Sequence, residues 1–242
     1  MNKEVLQLNI LQNAALLSVI PLYFLPSVTA WHWISVILCY TIFYLSATVG
    51  YHRLVTHRSF TTYKWVEYLL VFLGGLGLQS SMIAWKAMHL NHHRYTDKEG
   101  DSHSPEEHGI LNCMFNTALV MNSCTPRETQ KRIITHSKNE IRDKFYSWQH
   151  KNYMTIIGVV VIILALIDIK WALVYLLGAG LSKLGMGVIA SISHRGGKPR
   201  TDWWLVPFVF GEALHEQHHR KPKEAIWSNF DLGSWLIRFI RT

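Results

Sequence analysis

The sequence predicts an all-α polytopic membrane protein: four transmembrane helices with a cytoplasmic helical cap that holds a histidine-ligated two-metal site. Three observations predict it. Apolar residues make up 49% of the 242, which a soluble protein could match, but they collect in runs of the length a bilayer crossing needs. The histidines collect too: nine of the fourteen stand in two HxxHH clusters, one HxxxxH pair and one isolated position. Finally, all Lys and Arg except Lys3, Lys170 and Lys183 fall in the two segments that carry those histidines. By the positive-inside rule that face is cytoplasmic.

The first run, 6–25, carries Gln7, Asn9, Gln12 and Asn13 on its early turns and Pro21 near its end, and is read as a crossing. After a short turn at Pro26-Ser27-Val28-Thr29, the uncharged run 31–50 makes the second crossing and leads straight into His52. The run 66–84 is interrupted by Glu67 and loosened by Gly74, Gly75 and Gly77. A full crossing here would put His52 and His89 on opposite sides, so it is expected to lie at the interface or to dip in and return, its backbone covered by protein. Residues 94–153 are polar and expected to be helical from Glu128. The runs 153–169 and 171–192 form a tight hairpin about Asp168-Ile169-Lys170, and the second returns His194 to the histidine side. The basic tail is expected on the water side, with an amphipathic end near Trp235 to Ile240. Residues 1–242 are expected to form a single domain, with cytoplasmic regions 52–152 and 194–242. The start, Met1-Asn2-Lys3-Glu4, does not read as a cleavable leader. Cys39, Cys113 and Cys124 have no ligand spacing. A net charge of +8 reflects membrane sidedness, and no nucleic-acid partner is expected.

The chemistry lies in the imidazoles. On a helix His89 shares a face with His92 and His93, and the spacing recurs at His215, His218 and His219. Imidazole suits iron, zinc, copper and nickel, and nine histidines can serve two metals at four to five each. His52 and His57 are about 140° apart on an α-helix, so the helix is expected to end between them or the two to serve different metals. A carboxylate-rich di-iron bundle needs two Glu-x-x-His motifs; here Glu212 and His215 make one. His215-Glu216-Gln217-His218-His219 also reads as the HExxH zinc protease signature with Glu216 as base, but that reading leaves the other clustered histidines idle. Imidazole-rich iron sites at a membrane surface point to O2 activation on a lipid-soluble substrate. Lys183, inside the last run, is either functional or a lysine that snorkels or pairs with a carboxylate.

The boxes HRLVTH, HLNHH and HEQHH resemble those of the membrane-bound fatty acyl desaturases, of the stearoyl-CoA desaturase and bacterial delta-9 type. Arg58-Ser59-Phe60 after the first box, Tyr95 to Pro105 with Asp97, Asp101 and His103, and Gly211-Glu212 before the third box are similar as well. The resemblance spans about Trp31 to Ile240. It implies two irons held by His52, His57, His89, His92, His93, His194, His215, His218 and His219, with Asp97, Asp101 and Glu212 behind the ligands. It implies O2 as co-substrate and a cis double bond, delta-9 by this likeness, made in a saturated acyl-CoA or acyl-lipid chain within membrane lipid. Gln79 and Trp85 fall where the family lines the bend of its acyl tunnel. No His-Pro-Gly-Gly haem motif is present, so electrons are expected from a separate donor of ferredoxin or cytochrome b5 type. Two departures stand out. Ala190 occupies a position where the family often has Asn, and Ala87 and Met88 replace charged residues before the second box, which puts CoA contacts in doubt. The alternatives are a histidine-box hydroxylase or alkane monooxygenase, the zinc metalloprotease, and a non-enzymatic metal-binding membrane protein. His32, His108, His136 and His150 lie outside the clusters and are expected to tolerate Ala. Tyr40 and Tyr44, two to three turns before His52 and four apart, are expected to floor the acyl tunnel.

Overall fold

The computed structural model describes residues 3–121 and 126–242, so Cys124 lies outside the described residues. Among those residues the regular elements are helices, with one isolated β-bridge between Thr201 and Leu214. Four helices are long and apolar enough to cross a membrane: Lys3–Phe24, Ala30–Thr56, Lys144–Ile167 and Ile169–Ile192. The third starts well before its apolar run because Asp143 caps it, accepting from the backbone N–H groups of Phe145 and Tyr146. Asp168 makes the expected hairpin: it accepts the N–H of Lys170 and pairs with the Lys170 ammonium at 2.7 Å. The second and fourth crossings touch closely, since a Cβ on Gly178 would sit 2.5 Å from that of Cys39.

The second crossing does not stay α-helical. From Ser46 to Thr56 it winds as a π-helix. Hydrogen bonds from i to i+5 bring residues five apart onto one turn, and the N–H of His57 donates to the carbonyl of His52 at 3.0 Å. Of the two alternatives expected for His52 and His57 the first holds: the helix ends at Thr56, between them, and its π winding brings the two imidazoles to 4.9 Å between centroids.

The run 66–84 is not one element. Helix Lys64–Leu76 breaks before helix Met82–Tyr95, and Leu78 and Ser80 both take positive φ (59° and 70°). The broken backbone is covered by side chains from three crossings and from the π-helix. Gln12 donates to the carbonyl of Leu78 (2.8 Å), Tyr175 to that of Leu76 (3.0 Å) and Tyr51 to that of Ser80 (2.9 Å). Tyr153 donates to the carbonyl of Gly75 and accepts from the N–H of Ser80, both at 3.1 Å. Hydrocarbon supplies no partners to an interrupted helix, so protein must. The polar residues of the first crossing thereby acquire a purpose: Gln12 seals this break, Asn9 pairs with Asn116 (3.1 Å) and Asn13 donates to the carbonyl of Phe115 (3.0 Å).

Lys183 neither snorkels nor meets a carboxylate. Its ammonium donates to the carbonyls of Met114 (2.9 Å) and Phe115 (3.0 Å), at the end of helix Ile110–Phe115. A cation there satisfies carbonyls that the helix itself leaves open. Gly187, one turn on, allows the approach: a Cβ would lie 2.2 Å from the carbonyl oxygen of Met114.

Candidate metal centre

The nine clustered histidines converge, and they divide five and four. His52, His57, His89, His93 and His218 form one group; His92, His194, His215 and His219 form the other, the ring nitrogens within each lying within 4.8 Å of one another. The HxxHH spacing explains the division. In helix Met82–Tyr95, His89 and His93 are one turn apart and enter the first group while His92 turns to the second. In helix His215–Arg220 the roles are exchanged: His215 and His219 enter the second group and His218 the first. The π-helix supplies His52 and His57, and the end of the fourth crossing supplies His194.

All nine rings present Nε2 to the centre. Between the Nε2 pairs in contact, four in each group, the distances run from 2.8 to 3.0 Å in the first group and from 2.8 to 3.3 Å in the second. Three rings have Nδ1 engaged by carboxylates: His52 donates to Glu212, His92 to Asp101 and His194 to Asp97, each at 2.8 Å. A ring whose Nδ1 carries the proton has a lone pair on Nε2. Lone pairs crowded at such distances repel unless a cation lies between them, so this donor set fits two nitrogen-loving metal ions. Asp101 is itself held by the N–H groups of Asp97 (2.8 Å) and His103 (3.1 Å). Carboxylates behind histidine ligands set the tautomer and ring direction.

Burial is the first cause of the electrostatics. It holds His57 and His219 at about 3, and holds His89, His92, His93, His215 and His218 well below the ordinary histidine value; the Lys86 ammonium adds to the effect at His57 and neighbouring imidazoles add to it at the others. Neutral imidazole is the ligating form. Burial raises Asp101 to about 6 against the two backbone hydrogen bonds that lower it, and raises Glu212 to about 8 against the pull of Arg53.

Asp97, Asp101 and Glu212 thus lie where the sequence places them. Arg53 and His103 are also in the site. Arg53 is 1% exposed, bonds Asp231 at 2.6 Å, lies 3.8 Å from Glu212 and stacks over Trp227. An arginine beside His52 at the end of an apolar run was the available signal. His103 stacks on His92 with centroids 4.1 Å apart. His92, Asp101 and His103 also form a compact trio, but His92 commits Nδ1 to Asp101 and Nε2 to the second group, so the trio supports that group.

A cavity of about 520 Å³ reaches both groups, touching His52 and His89 of the first and His92 and His215 of the second. Gln79 and Trp85 are among its lining residues, Trp85 stacked on His89 with centroids 4.7 Å apart. Ala190 lines it beside His215. Tyr40 and Tyr44, expected at the tunnel floor, are not among its lining residues. Tyr44 is fully buried against Gly185 and Phe210, in one cluster with Ile189 of the cavity wall, and the Tyr40 hydroxyl donates to the carbonyl of Phe208. Helix rotation decided this: depth was legible in the run, direction was not. Two histidines expected to be dispensable have work as well. His150 lines the cavity and bonds Ser81, the cap of the second-box helix (2.6 Å), and His32 accepts the N–H of Thr29 at 3.0 Å to cap the second crossing. Glu216 points outward to Arg220 at 2.7 Å, so it does not stand where the base of an HExxH protease must.

Comparison with known proteins agrees with this geometry. The family model for fatty acid desaturase matches residues 28–232. Delta-9 acyl-lipid desaturase 2 of Arabidopsis thaliana is 31% identical over 245 residues, covering 90% of this chain and 73% of that protein. Delta-9 acyl-lipid desaturase 1 of the same plant is 29% identical, covering 84% and 70%. Its chloroplastic palmitoyl-monogalactosyldiacylglycerol delta-7 desaturase is 26% identical, covering 81% and 56%. A match that takes in all three histidine boxes, on four membrane-length helices, makes this chain a membrane oxidoreductase of the fatty acid desaturase family.

Proposed function

We propose that the protein is an O2-dependent desaturase that places a cis double bond, at delta-9, in a saturated long acyl chain, using two irons. His52, His57, His89, His93 and His218 hold one iron and His92, His194, His215 and His219 the other. The observation that carries this reading is the shared cavity, which brings histidines of both groups to one space whose mixed wall includes the apolar Leu8, Ala84, Met88 and Ile189 and the polar Gln12, Gln79 and Lys183. Iron bound there supplies oxidation of an unactivated methylene pair by O2, with electrons from a separate donor of ferredoxin or cytochrome b5 type. The chain's own residues do the rest. Glu212, Asp101 and Asp97 keep the Nδ1 protons of His52, His92 and His194 and so aim Nε2 inward. Gln79, fixed by Ser182 at 3.1 Å, and Trp85 shape the acyl path. Of the two carriers, an acyl lipid is favoured over acyl-CoA: two relatives are named for acyl-lipid substrates, and Ala87 and Met88 are buried and uncharged. The site faces the cytoplasm, where the basic residues gather, and the whole chain acts as one domain.

The test pairs metal analysis with product analysis. Purified protein should hold about two irons per chain, and a host fed saturated fatty acids should gain a chain unsaturated at delta-9. A hydroxylated product in place of the olefin would move the protein to the hydroxylases that share histidine boxes. A single tightly held zinc with no lipid product would overturn the reading.

A further inference from the structure

The stretch between His194 and the third box begins at the surface and then descends. Asp202 bonds Ser193 at 3.0 Å and Arg195 at 2.7 Å, level with the end of the fourth crossing. Six residues later, Phe208 offers its carbonyl to the hydroxyl of Tyr40. At the α-helical rise Tyr40 lies about 15 Å from Ala30, and because the stretch on to Thr56 includes the π-helix Ser46–Thr56, which rises less per residue, the second crossing is somewhat under about 40 Å long. A hydrocarbon core of about 30 Å includes Tyr40 wherever it is set along that helix. Leu205 and Val209 pack with Tyr44 and Ile189, and Phe210 lies against Tyr40 and Tyr44. These contacts account for one face of the segment. On the other, Trp203, Trp204 and Phe208 are 61%, 63% and 64% exposed.

We propose that residues 203–210 are a re-entrant arm that enters the bilayer beside the second crossing and presents Trp203, Trp204 and Phe208 to phospholipid. The arm is continuous with the lipid-facing surface of the crossings it touches, and its chemistry is graded by depth. The tryptophans sit nearest the surface, where indole favours the headgroup boundary, and Phe208 sits deeper, among acyl chains. The backbone meets the demand of that environment. The N–H of Leu205 donates to Asp202 at 2.9 Å and that of Val206 to Trp203. Pro207 has no N–H to satisfy, and Tyr40 covers the carbonyl of Phe208. The return is strained: Phe210 takes φ 50°, unusual for a bulky residue. Tyr40 is therefore the anchor of the arm that delivers Glu212, His215, His218 and His219. This placement depends on the membrane crossings alone and stands whatever the acyl substrate is.

Nitroxide labels on Phe208→Cys, Trp203→Cys, Ile162→Cys and Lys223→Cys would test it, with Cys39, Cys113 and Cys124 replaced by Ala and the protein in phosphatidylcholine vesicles. Accessibility to O2, which partitions into lipid, is compared with accessibility to a water-soluble nickel chelate. Ile162, exposed on the third crossing, is the lipid standard, and exposed Lys223 the water standard. The label at Phe208 should match Ile162, and that at Trp203 should fall between the standards. Tyr40→Phe, which leaves the Phe208 carbonyl without its donor, should shift the Phe208 label toward the chelate. A Phe208 label as accessible to the chelate as Lys223 overturns the proposal. So does one shielded from both reagents, which would mean that protein covers this face, and a profile unmoved by Tyr40→Phe removes Tyr40 as anchor.

Discussion

At the scale of single residues, the site is a set of paired obligations. Each of three histidines gives one nitrogen to a carboxylate, and all nine aim the other at the centre. Asp101→Asn and Glu212→Gln should each weaken metal binding or activity by about 10- to 100-fold, the usual cost of losing a group behind a ligand. Iron content after dialysis against a chelator measures it; retention equal to wild type would mean that these carboxylates do not orient the rings. The asymmetry of their support matters. Asp101 is held by two backbone N–H groups, whereas Glu212 leans on Arg53, so Arg53→Met should reproduce part of the Glu212→Gln defect. Tyr44→Ala, by contrast, should leave the preference among acyl chain lengths unchanged, since Tyr44 is outside the cavity.

At the scale of elements, the π-helix is the decisive piece. Its winding brings His52 and His57 into one group, and it must pack tightly to hold that unusual conformation. Gly50 lies two residues before His52, and a Cβ there would meet that of Leu70 at 2.6 Å. Gly50→Ala should therefore destabilise the protein by about 1–3 kcal/mol through overpacking and displace His52. Thermal unfolding in detergent and metal content should both fall; a variant as stable as the parent would mean that helix Lys64–Leu76 yields easily. The broken helix after Leu76 follows the same logic in reverse. Its open backbone persists because Gln12, Tyr51, Tyr153 and Tyr175 cover it.

At the scale of the whole molecule, nine imidazoles gathered in one place, seven buried and two half-buried, make stability depend on pH. In the folded, metal-free protein His57, His103 and His219 titrate at about 3, against about 6.5 when unfolded. Between those values the unfolded chain binds protons that the folded chain refuses. Stability is thus fully present above about pH 6.5 and is lost as pH falls toward 3, by up to about 1.4 kcal/mol per unit for each such histidine. Urea unfolding of the metal-free protein at pH 7.5 and 5.5 should show the difference; equal midpoints would contradict the burial of neutral rings. The basic face has a separate consequence. Arg220, Lys221 and Lys223 follow the third box, and docking of an acidic electron donor there should weaken as salt rises. Donor-dependent turnover that ignored ionic strength would argue against that face. Arg220 already pairs with Glu216, which leaves Lys221 and Lys223 as the residues to reverse first.

Composition and spacing were enough for the class of protein, the four crossings and the metal-binding histidine clusters. Hydropathy runs and HxxHH spacing are local properties, and bilayer thickness and the α-helical repeat convert them directly into structure. What the line of residues could not express was direction and winding. The assignment of His52 and His57 to one group required a π-helix, which no local propensity announces. Tyr40 and Tyr44 were at a legible depth, but what they pack against was not, because the rotation of a crossing is set by its neighbours, here Gly185 and Phe210. The partners of Lys183, and the use of the polar residues of the first crossing, were not legible until the fold supplied the carbonyls of Leu78, Met114 and Phe115 for them to cover. Their partners lie far away in sequence, and only packing brings those carbonyls within reach.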